Sequence, residues 1–163
     1  MFCAPVSYSA TKTQNKMKNN IIIRLENTLF NTFNINNHLS KAKDKNQYIN
    51  NNLPKCKLNN DMIEMIDFIN KVKSIKTVNV IVVSQFTSDI VWKLLRNNNL
   101  AWVQLKSSIE NVCKSVDKST TVLISTNEND LQCAMQYEIA CTNEISINAI
   151  GVRKATLAHS KAA

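Results

Sequence analysis

Glycine is nearly absent from this chain, which has one glycine, Gly151, in 163 residues. Phosphate-binding loops of the Walker and dinucleotide kinds need several glycines, because the backbone must approach the phosphate closely. The sequence therefore excludes both kinds of loop. Asparagine is abundant instead, with runs at Asn50–Asn52 and Asn97–Asn99. Asparagine tolerates the left-handed backbone region and can serve at turns and helix ends, although an AT-rich coding sequence explains the same excess.

Aromatic residues are also scarce, at 6% of the chain, so isoleucine, valine, leucine and methionine must fill most of the core. No apolar run approaches the roughly 18 residues that span a membrane, and we expect no transmembrane segment. The histidines, His38 and His159, lie far apart in sequence with no metal partner nearby. We therefore expect no metal and no other cofactor.

The cysteines are odd in number and form no C-x-x-C pair; they are Cys3, Cys56, Cys113, Cys133 and Cys141. Neither a disulfide framework nor a zinc site is expected from this pattern. It favours an intracellular protein in a reducing compartment. Residues 1–25 contain no acid, as in mitochondrial transit segments, but Arg24 is the only arginine among them. The pattern leaves both the mitochondrion and the cytoplasm open.

The positive charge lies in the first part of the chain. The net charge is +8; residues 1–60 hold nine basic residues and two acids, whereas residues 61–163 hold eleven and ten. A basic segment rich in asparagine and lysine suits an anionic surface such as RNA or acidic lipid headgroups, and a solvated segment without a fixed partner explains it equally well. The candidates for contact with nucleic acid or an acidic partner are Lys12, Lys16, Lys18, Lys41, Lys43, Lys45, Lys55 and Lys57.

Strands and helices alternate from residue 61 onward. Helices are predicted after Asp61, after Thr87 or Ser88, after Ser107 or Ser108, and over 127–139, and strands over 21–25, 78–83, 101–105, 122–124 and 144–150. This order predicts an α/β fold, a Rossmann-like three-layer sandwich whose mostly parallel sheet of about five strands has helices on both faces. One domain is expected over 20–150. Residues 31–60 are predicted as an irregular insertion with one short helix, and residues 1–19 and 151–163 as tails.

Three loops follow apolar strands, where ligands bind in folds of this kind. They read IIIRLENTLF (21–30), VIVVSQFTS (80–88) and TVLISTNENDLQCA (121–134). Taken together, these loops resemble the motifs of the haloacid dehalogenase-like superfamily, whose members are largely phosphatases and phosphotransferases. The resemblance covers roughly residues 20–150 and implies that the family's cap insertion is reduced to residues 31–60.

The resemblance assigns motif positions to particular residues. Arg24 stands where the family has its nucleophilic aspartate, and Glu26 stands where it has the second, acid–base aspartate. Thr126 stands at a fourth-motif position that the family fills with an acid. The remaining positions fall on Thr28, Ser84, Lys114 or Lys118, and Asp130.

These substitutions remove the chemistry that the resemblance implies. Phosphoryl transfer through an aspartyl intermediate needs a carboxylate nucleophile, whereas a guanidinium has no acceptor and stays protonated. The family's magnesium needs oxygen ligands, chiefly carboxylates. Arg24 would occupy the place of that metal and could pair with Glu26 or Asp130. We therefore expect a pseudoenzyme without catalytic activity.

Two functions remain compatible with such a chain. The first is a structural or interaction subunit of a larger assembly, with other protein subunits and RNA as candidate partners, as in a ribonucleoprotein. The alternative is a regulatory module that binds an anion or nucleotide in the vestigial pocket through Arg24, Ser84 and Lys118. An enzyme of another class is not indicated, because the sequence shows no nucleophile–base pair and no metal-ligand cluster.

Overall fold

The computed structural model describes residues 18–150 of the chain. Its sheet is built on a central strand, β1 (Asn20–Arg24). The three isoleucines of β1, Ile21, Ile22 and Ile23, are completely buried, as expected of a parallel strand with helices on both faces. Burying one such side chain stabilises the fold by about 1.5–3 kcal/mol, so this short strand is a major part of the core.

Four further strands complete a five-stranded sheet in the order β3-β2-β1-β4-β5, and every neighbouring pair is parallel. They are β2 (Asn79–Val83), β3 (Gln104–Lys106), β4 (Thr121–Ile124) and β5 (Ala140–Thr142). The chain runs outward from β1 through β2 to β3, and then returns to place β4 on the other side of β1. The direction of winding therefore reverses between β1 and β4.

Six α-helices lie within the described range: α1 (Phe33–Leu39), α2 (Lys45–Asn52), α3 (Asn60–Val72), α4 (Ser88–Asn97), α5 (Ile109–Ser115) and α6 (Glu128–Gln136). Short 3-10 helices cover Leu53–Lys55, Lys118–Thr120 and Ile147–Ile150. Three helices, α1, α3 and α4, pack on one face of the sheet, and two, α5 and α6, pack on the other. The predicted three-layer α/β architecture is confirmed.

The strands at the two edges of the sheet differ from their predicted positions. The predicted third strand, 101–105, begins later, at Gln104, because the chain first makes a turn in which the Val103 N–H donates to the Leu100 carbonyl at 3.3 Å. The predicted fifth strand, 144–150, is wrong. Helix α6 ends at Gln136 rather than at residue 139, so β5 forms earlier and residues 147–150 form a 3-10 helix.

The insertion at residues 31–60 is more regular than predicted, since it contains two α-helices and a 3-10 helix. Asp44 caps α2, its carboxylate accepting from the Gln47 N–H at 3.0 Å. Ile35 and Leu53 are buried against the main core. Tyr48, Ile49, Cys56 and Leu58 are partly buried against the same core. These contacts attach helices that show little amphipathic pattern by themselves.

Lys18 and Asn19, which the sequence analysis assigned to the N-terminal tail, are hydrogen-bonded to the domain. The Lys18 N–H donates to the Ile150 carbonyl, and the Asn19 N–H donates to the Thr120 carbonyl, both at 2.9 Å. The predicted tails otherwise fall on residues 1–17 and 151–163, which lie outside the described residues together with Lys12 and Lys16. None of the helices described here has the length and apolar character needed to cross a membrane.

Three of the described cysteines, Cys56, Cys113 and Cys133, are free. Burial, with smaller contributions from Cys133 and nearby carboxylates, raises the pKa of the Cys113 thiol to about 12, so that thiol stays protonated at neutral pH. Cys141 is disulfide-bonded. The cysteine pattern in the sequence did not indicate this bond.

The helix ends bear out the role predicted for asparagine. Asn59 caps α3, two residues before the predicted cap Asp61. Thr87 and Ser108, both among the predicted positions, are the N-cap residues of α4 and α5. Asn27 and Asn99 both have left-handed backbones, with φ of 56° and 59°. With hardly any glycine available, asparagine fills two of the turns that need this conformation.

Asn99 offers a direct test of this backbone assignment. We expect the variant Asn99→Gly to be more stable than Asn99→Ala by about 1 kcal/mol, because a Cβ is unfavourable in the left-handed region. The two variants remove the same asparagine side chain, so their difference isolates the backbone. Urea unfolding monitored by circular dichroism would measure it, and equal stability of the two variants would contradict the assignment.

Candidate functional site

The carboxyl ends of β1, β2 and β4 meet at the point where the winding of the sheet reverses. In open parallel sheets such a point leaves a crevice in which ligands bind. The loops that follow these strands begin at Leu25, Ser84 and Ser125. The three loops singled out in the sequence are therefore neighbours in the structure.

Arg24, the last residue of β1, forms the centre of this site. Its Nε and Nη2 donate to the two carboxylate oxygens of Asp130, both at 2.7 Å, in a bidentate pair. Its Nη1 donates to Oε1 of Glu26 at 3.2 Å. All three guanidinium nitrogens thus face carboxylates, and the predicted pairing of Arg24 with Glu26 or Asp130 is confirmed for both acids.

The Arg24 side chain is only 14% exposed, and its charge state follows from two opposed effects. Burial alone lowers the pKa of the guanidinium, but the hydrogen bonds and charges of Asp130 and Glu26 outweigh it and raise the pKa above its ordinary value. Arg24 is therefore a permanent cation. A bidentate pair of this kind is both strong and geometrically specific.

Glu26 connects the β1 loop to the β2 loop. Its Oε2 accepts from the Ser84 hydroxyl and from the Gln85 N–H, the latter at 3.2 Å. The Ser84 Oγ in turn accepts from the Phe86 N–H at 3.1 Å. Since its other oxygen faces Arg24, both oxygens of this carboxylate have donors.

Asp130 connects Arg24 to the β4 loop. Its Oδ2 also accepts from the Ser125 hydroxyl at 2.7 Å, and the side chain is 7% exposed. Asp130 lies in the first turn of α6, whose N-terminus is capped by Asn127. The helix therefore begins just before Asp130 and places the carboxylate of that residue next to the end of β1.

Thr126, which stands where the resembled family has an acid, makes neutral hydrogen bonds. Its N–H donates to the Thr28 hydroxyl oxygen at 3.0 Å, and the two threonine hydroxyl oxygens are 3.1 Å apart. Its own hydroxyl donates to the Asn27 carbonyl at 3.2 Å. Thr28 and Thr126 therefore join the β1 and β4 loops without contributing charge.

A cleft of about 270 Å³ opens above these groups, lined by Arg24, Glu26, Asn27, Asn36, Gln85, Thr126 and Asn127. The guanidinium supplies one positive charge, and Glu26 and the adjoining Asp130 supply two negative charges. No lysine is among the described residues that line the cleft. The balance of charge at the site is negative, which is unfavourable for a phosphate.

The two lysines predicted for this site lie elsewhere. Lys118 belongs to the 3-10 helix that precedes β4, at the amino end of that strand, and forms a salt bridge with Glu138. Lys114 pairs with Glu110 at 3.4 Å on the exposed surface of α5. The structure brings together the predicted residues Arg24, Glu26, Thr28, Ser84, Thr126 and Asp130, but it does not add either lysine to them.

The basic residues predicted to contact nucleic acid or an acidic partner also divide into two groups. Lys18 is half-buried, its ammonium donates to the Ser119 carbonyl at 3.4 Å, and burial lowers its pKa. It is therefore part of the fold. The exposed group lies in the insertion and comprises Lys41, Lys43, Lys45, Lys55 and Lys57.

Several residues of the site were not among the predicted ones. The Gln85 backbone donates to Glu26, and Asn36 lines the cleft. Gln85 is the second residue after a predicted strand, so its position was available from the sequence. Ser125, which the resemblance places beside Thr126 in the fourth motif, donates to Asp130. Asn36 reaches the cleft through the packing of α1, and no local pattern indicates this.

The fold and the site define a class: a doubly wound, parallel α/β protein whose ligand-binding edge is filled by an internal ion-pair network. No protein-family model and no curated protein matches the chain. Among residues 18–150, no group of three or more histidine, cysteine or acidic side chains is arranged to hold a metal ion.

Proposed function

We propose that this chain is a non-catalytic member of the haloacid dehalogenase-like superfamily that acts as a structural or interaction subunit of a larger assembly. The observation that carries the proposal is the position of Arg24, whose guanidinium is held by Asp130 and Glu26 at the carboxyl end of the central strand. According to the resemblance, this position corresponds to the family's nucleophile and metal site.

Each requirement for aspartyl phosphoryl transfer lacks a group that could meet it. Arg24 offers no electron pair for attack on phosphorus. Asp130 and Glu26 already hold a cation, and Thr126 adds no carboxylate for a divalent ion. Ser84 is 1% exposed and donates its hydroxyl to Glu26, so it is not accessible to a substrate.

The absence of turnover is directly measurable. We expect the full chain, incubated with magnesium and an aryl phosphomonoester, to release phosphate no faster than buffer, because the nucleophile and the metal ligands are missing. Phosphate release would be followed colorimetrically over hours. Asp130→Asn and the exposed control Asp67→Asn serve to identify contamination; turnover that the first variant abolishes and the second preserves would overturn the proposal.

The alternative of an anion-binding module is disfavoured by the same contacts. Two carboxylates oppose the one cation of the cleft, and Lys118 is absent from it. Calorimetric titration with inorganic phosphate and with a nucleoside triphosphate, neither containing magnesium, should show no binding. Binding that Arg24→Gln abolishes would favour the alternative.

The assembly itself is tested by purification of the protein from its own cells. We expect a tagged full chain to copurify with a defined set of proteins and to elute well above the size of an 18.4 kDa monomer. Mass spectrometry would identify the companions, and nuclease treatment would show whether RNA is among them. Elution as a monomer without companions would contradict the role as a subunit.

A further inference from the structure

A second cleft, of about 300 Å³, lies in the insertion, between α1 and the segment that follows α2. This volume is at the lower end of the range of about 300–1,000 Å³ typical of small-ligand sites. The residues that characterise it are Asn31, Asn34, Ile35, Tyr48, Lys55 and Lys57. It is separate from the Arg24 cleft, because no residue lines both.

The insertion that carries this cleft is positively charged. Lys41, Lys43, Lys45, Lys55 and Lys57 are exposed, and no ion pair is found for any of them among residues 18–150. The only acid of the insertion, Asp44, has its carboxylate engaged in capping α2. Five cations with one occupied acid give the insertion a positive charge that suits a polyanion, and two of them, Lys55 and Lys57, line the cleft itself.

The cleft also holds an aromatic ring. Tyr48 is half-buried in its wall, and its hydroxyl has no hydrogen-bond partner within the described part of the chain. The exposed Asn31 and Asn34 contribute amide groups that can donate and accept hydrogen bonds. An aromatic surface beside cations and amides matches a nucleotide, which presents a base and a phosphate together.

We infer that this cleft binds single-stranded RNA, with phosphates on Lys55 and Lys57 and one base against Tyr48. An acidic membrane fits less well, because Phe33 is the only large apolar side chain of the insertion that is exposed and lipid binding needs a broad apolar face. A duplex fits less well because its bases are already stacked. The inference extends the proposed function, and it stands whether or not the Arg24 site is inactive.

The lysines are tested by the salt dependence of binding. Fluorescence anisotropy would follow binding of a labelled oligouridylate of about 12 nucleotides to the full chain at salt concentrations from about 50 to about 200 mM. Over this range the affinity of a protein that contacts phosphates falls steeply with salt. For Lys55→Gln/Lys57→Gln, the slope of log K against log salt should fall by about 1.4, at about 0.7 for each phosphate contact on a single strand. The control Lys71→Gln/Lys93→Gln removes the same charge from exposed positions on α3 and α4 and should leave the slope unchanged.

The aromatic contact is tested by matched variants of Tyr48. Tyr48→Phe keeps the ring and should bind as the wild type does, whereas Tyr48→Leu should weaken binding about 5- to 150-fold, as for loss of one base–aromatic stack. Equal slopes for the two lysine double variants, or equal affinity of Tyr48→Leu and Tyr48→Phe, would overturn the inference. So would binding to phosphatidylserine vesicles, lost on lysine substitution, without binding to RNA. None of these three outcomes would change the phosphate-release result, which tests the proposed function separately.

Discussion

Replacing Arg24 with alanine is expected to lower the free energy of unfolding by about 3–5 kcal/mol at neutral pH, because removing one partner of a buried ion pair leaves its counter-charges buried and unpaired. Here two carboxylates, Glu26 and Asp130, would face each other without a cation. Urea unfolding monitored by circular dichroism would measure the loss. The control Arg96→Ala removes an exposed arginine from α4 and should change stability by less than about 0.5 kcal/mol.

The charge of Arg24 should contribute the same stability at every pH of the neutral range. The pKa of Arg24 is raised on folding, so its contribution is complete below the unfolded pKa and is lost only as the pH rises through the folded pKa, which is higher still. Both values lie far above neutrality, because a guanidinium is protonated at every pH that proteins ordinarily meet.

The double variant Arg24→Ala/Asp130→Asn provides a second check on the same pair. It should be more stable than Arg24→Ala alone, because it removes one of the two unpaired charges. Two results would show that the network does not hold the three loops together. One is a loss of less than about 1 kcal/mol in the free energy of unfolding for Arg24→Ala; the other is a double variant whose loss equals the sum of the losses of its two single variants.

The second large effect is the gain of a cation site. Arg24→Asp places a third carboxylate beside Glu26 and Asp130 and removes the cation that they share. We expect this variant to bind magnesium, which prefers carboxylate oxygens and completes its octahedron with water. A free ion at 100 times its dissociation constant would stabilise the variant by about 2.7 kcal/mol, which corresponds to an increase of roughly 5–11 °C in melting temperature for a chain of this size.

The measurement is a thermal melt of Arg24→Asp with and without magnesium, beside the wild type. The wild-type melting temperature should not respond, because its carboxylates already hold a guanidinium. Lys93→Asp makes the same change of charge at an exposed site on α4 and should not respond either. A response of all three proteins, or of none, would contradict the view that Arg24 stands in the place of a metal ion.

The fold was predictable because its information is local. Buried β-branched runs alternate with amphipathic helices, and this pattern determines a parallel sheet with helices on both faces. The predictions of secondary structure fail where tertiary contacts, and not the local sequence, determine the structure. Glu138 adopts a left-handed backbone, with φ of 60°, after α6; a glutamate gives no sign of such a turn, and the strand that follows was therefore placed too late. In the insertion, whose polar composition predicted an irregular chain, a few scattered apolar side chains likewise pack against the core.

The site was predictable where topology alone brings residues together. Arg24 ends β1, and Glu26 and Asp130 lie in the segments that follow β1 and β4, whose carboxyl ends are neighbours. The sequence predicted that Arg24 could pair with either acid. The same rule excludes Lys118, which precedes β4 and therefore lies at its amino end, away from the site. The resemblance to the family pattern does not contain this topological information. The bond between Ser84 and Glu26 depends on side-chain geometry that no spacing in the sequence specifies.

The guanidinium of Arg24 also changes how this edge of the sheet depends on its surroundings. A free ion must be drawn from solution, and the loops that it organises order and loosen as its concentration varies. A cation attached to the central strand is present in every copy of the chain as soon as it folds. The surface formed by the three loops is thus assembled without any supply of metal, and chelators should leave its shape unchanged.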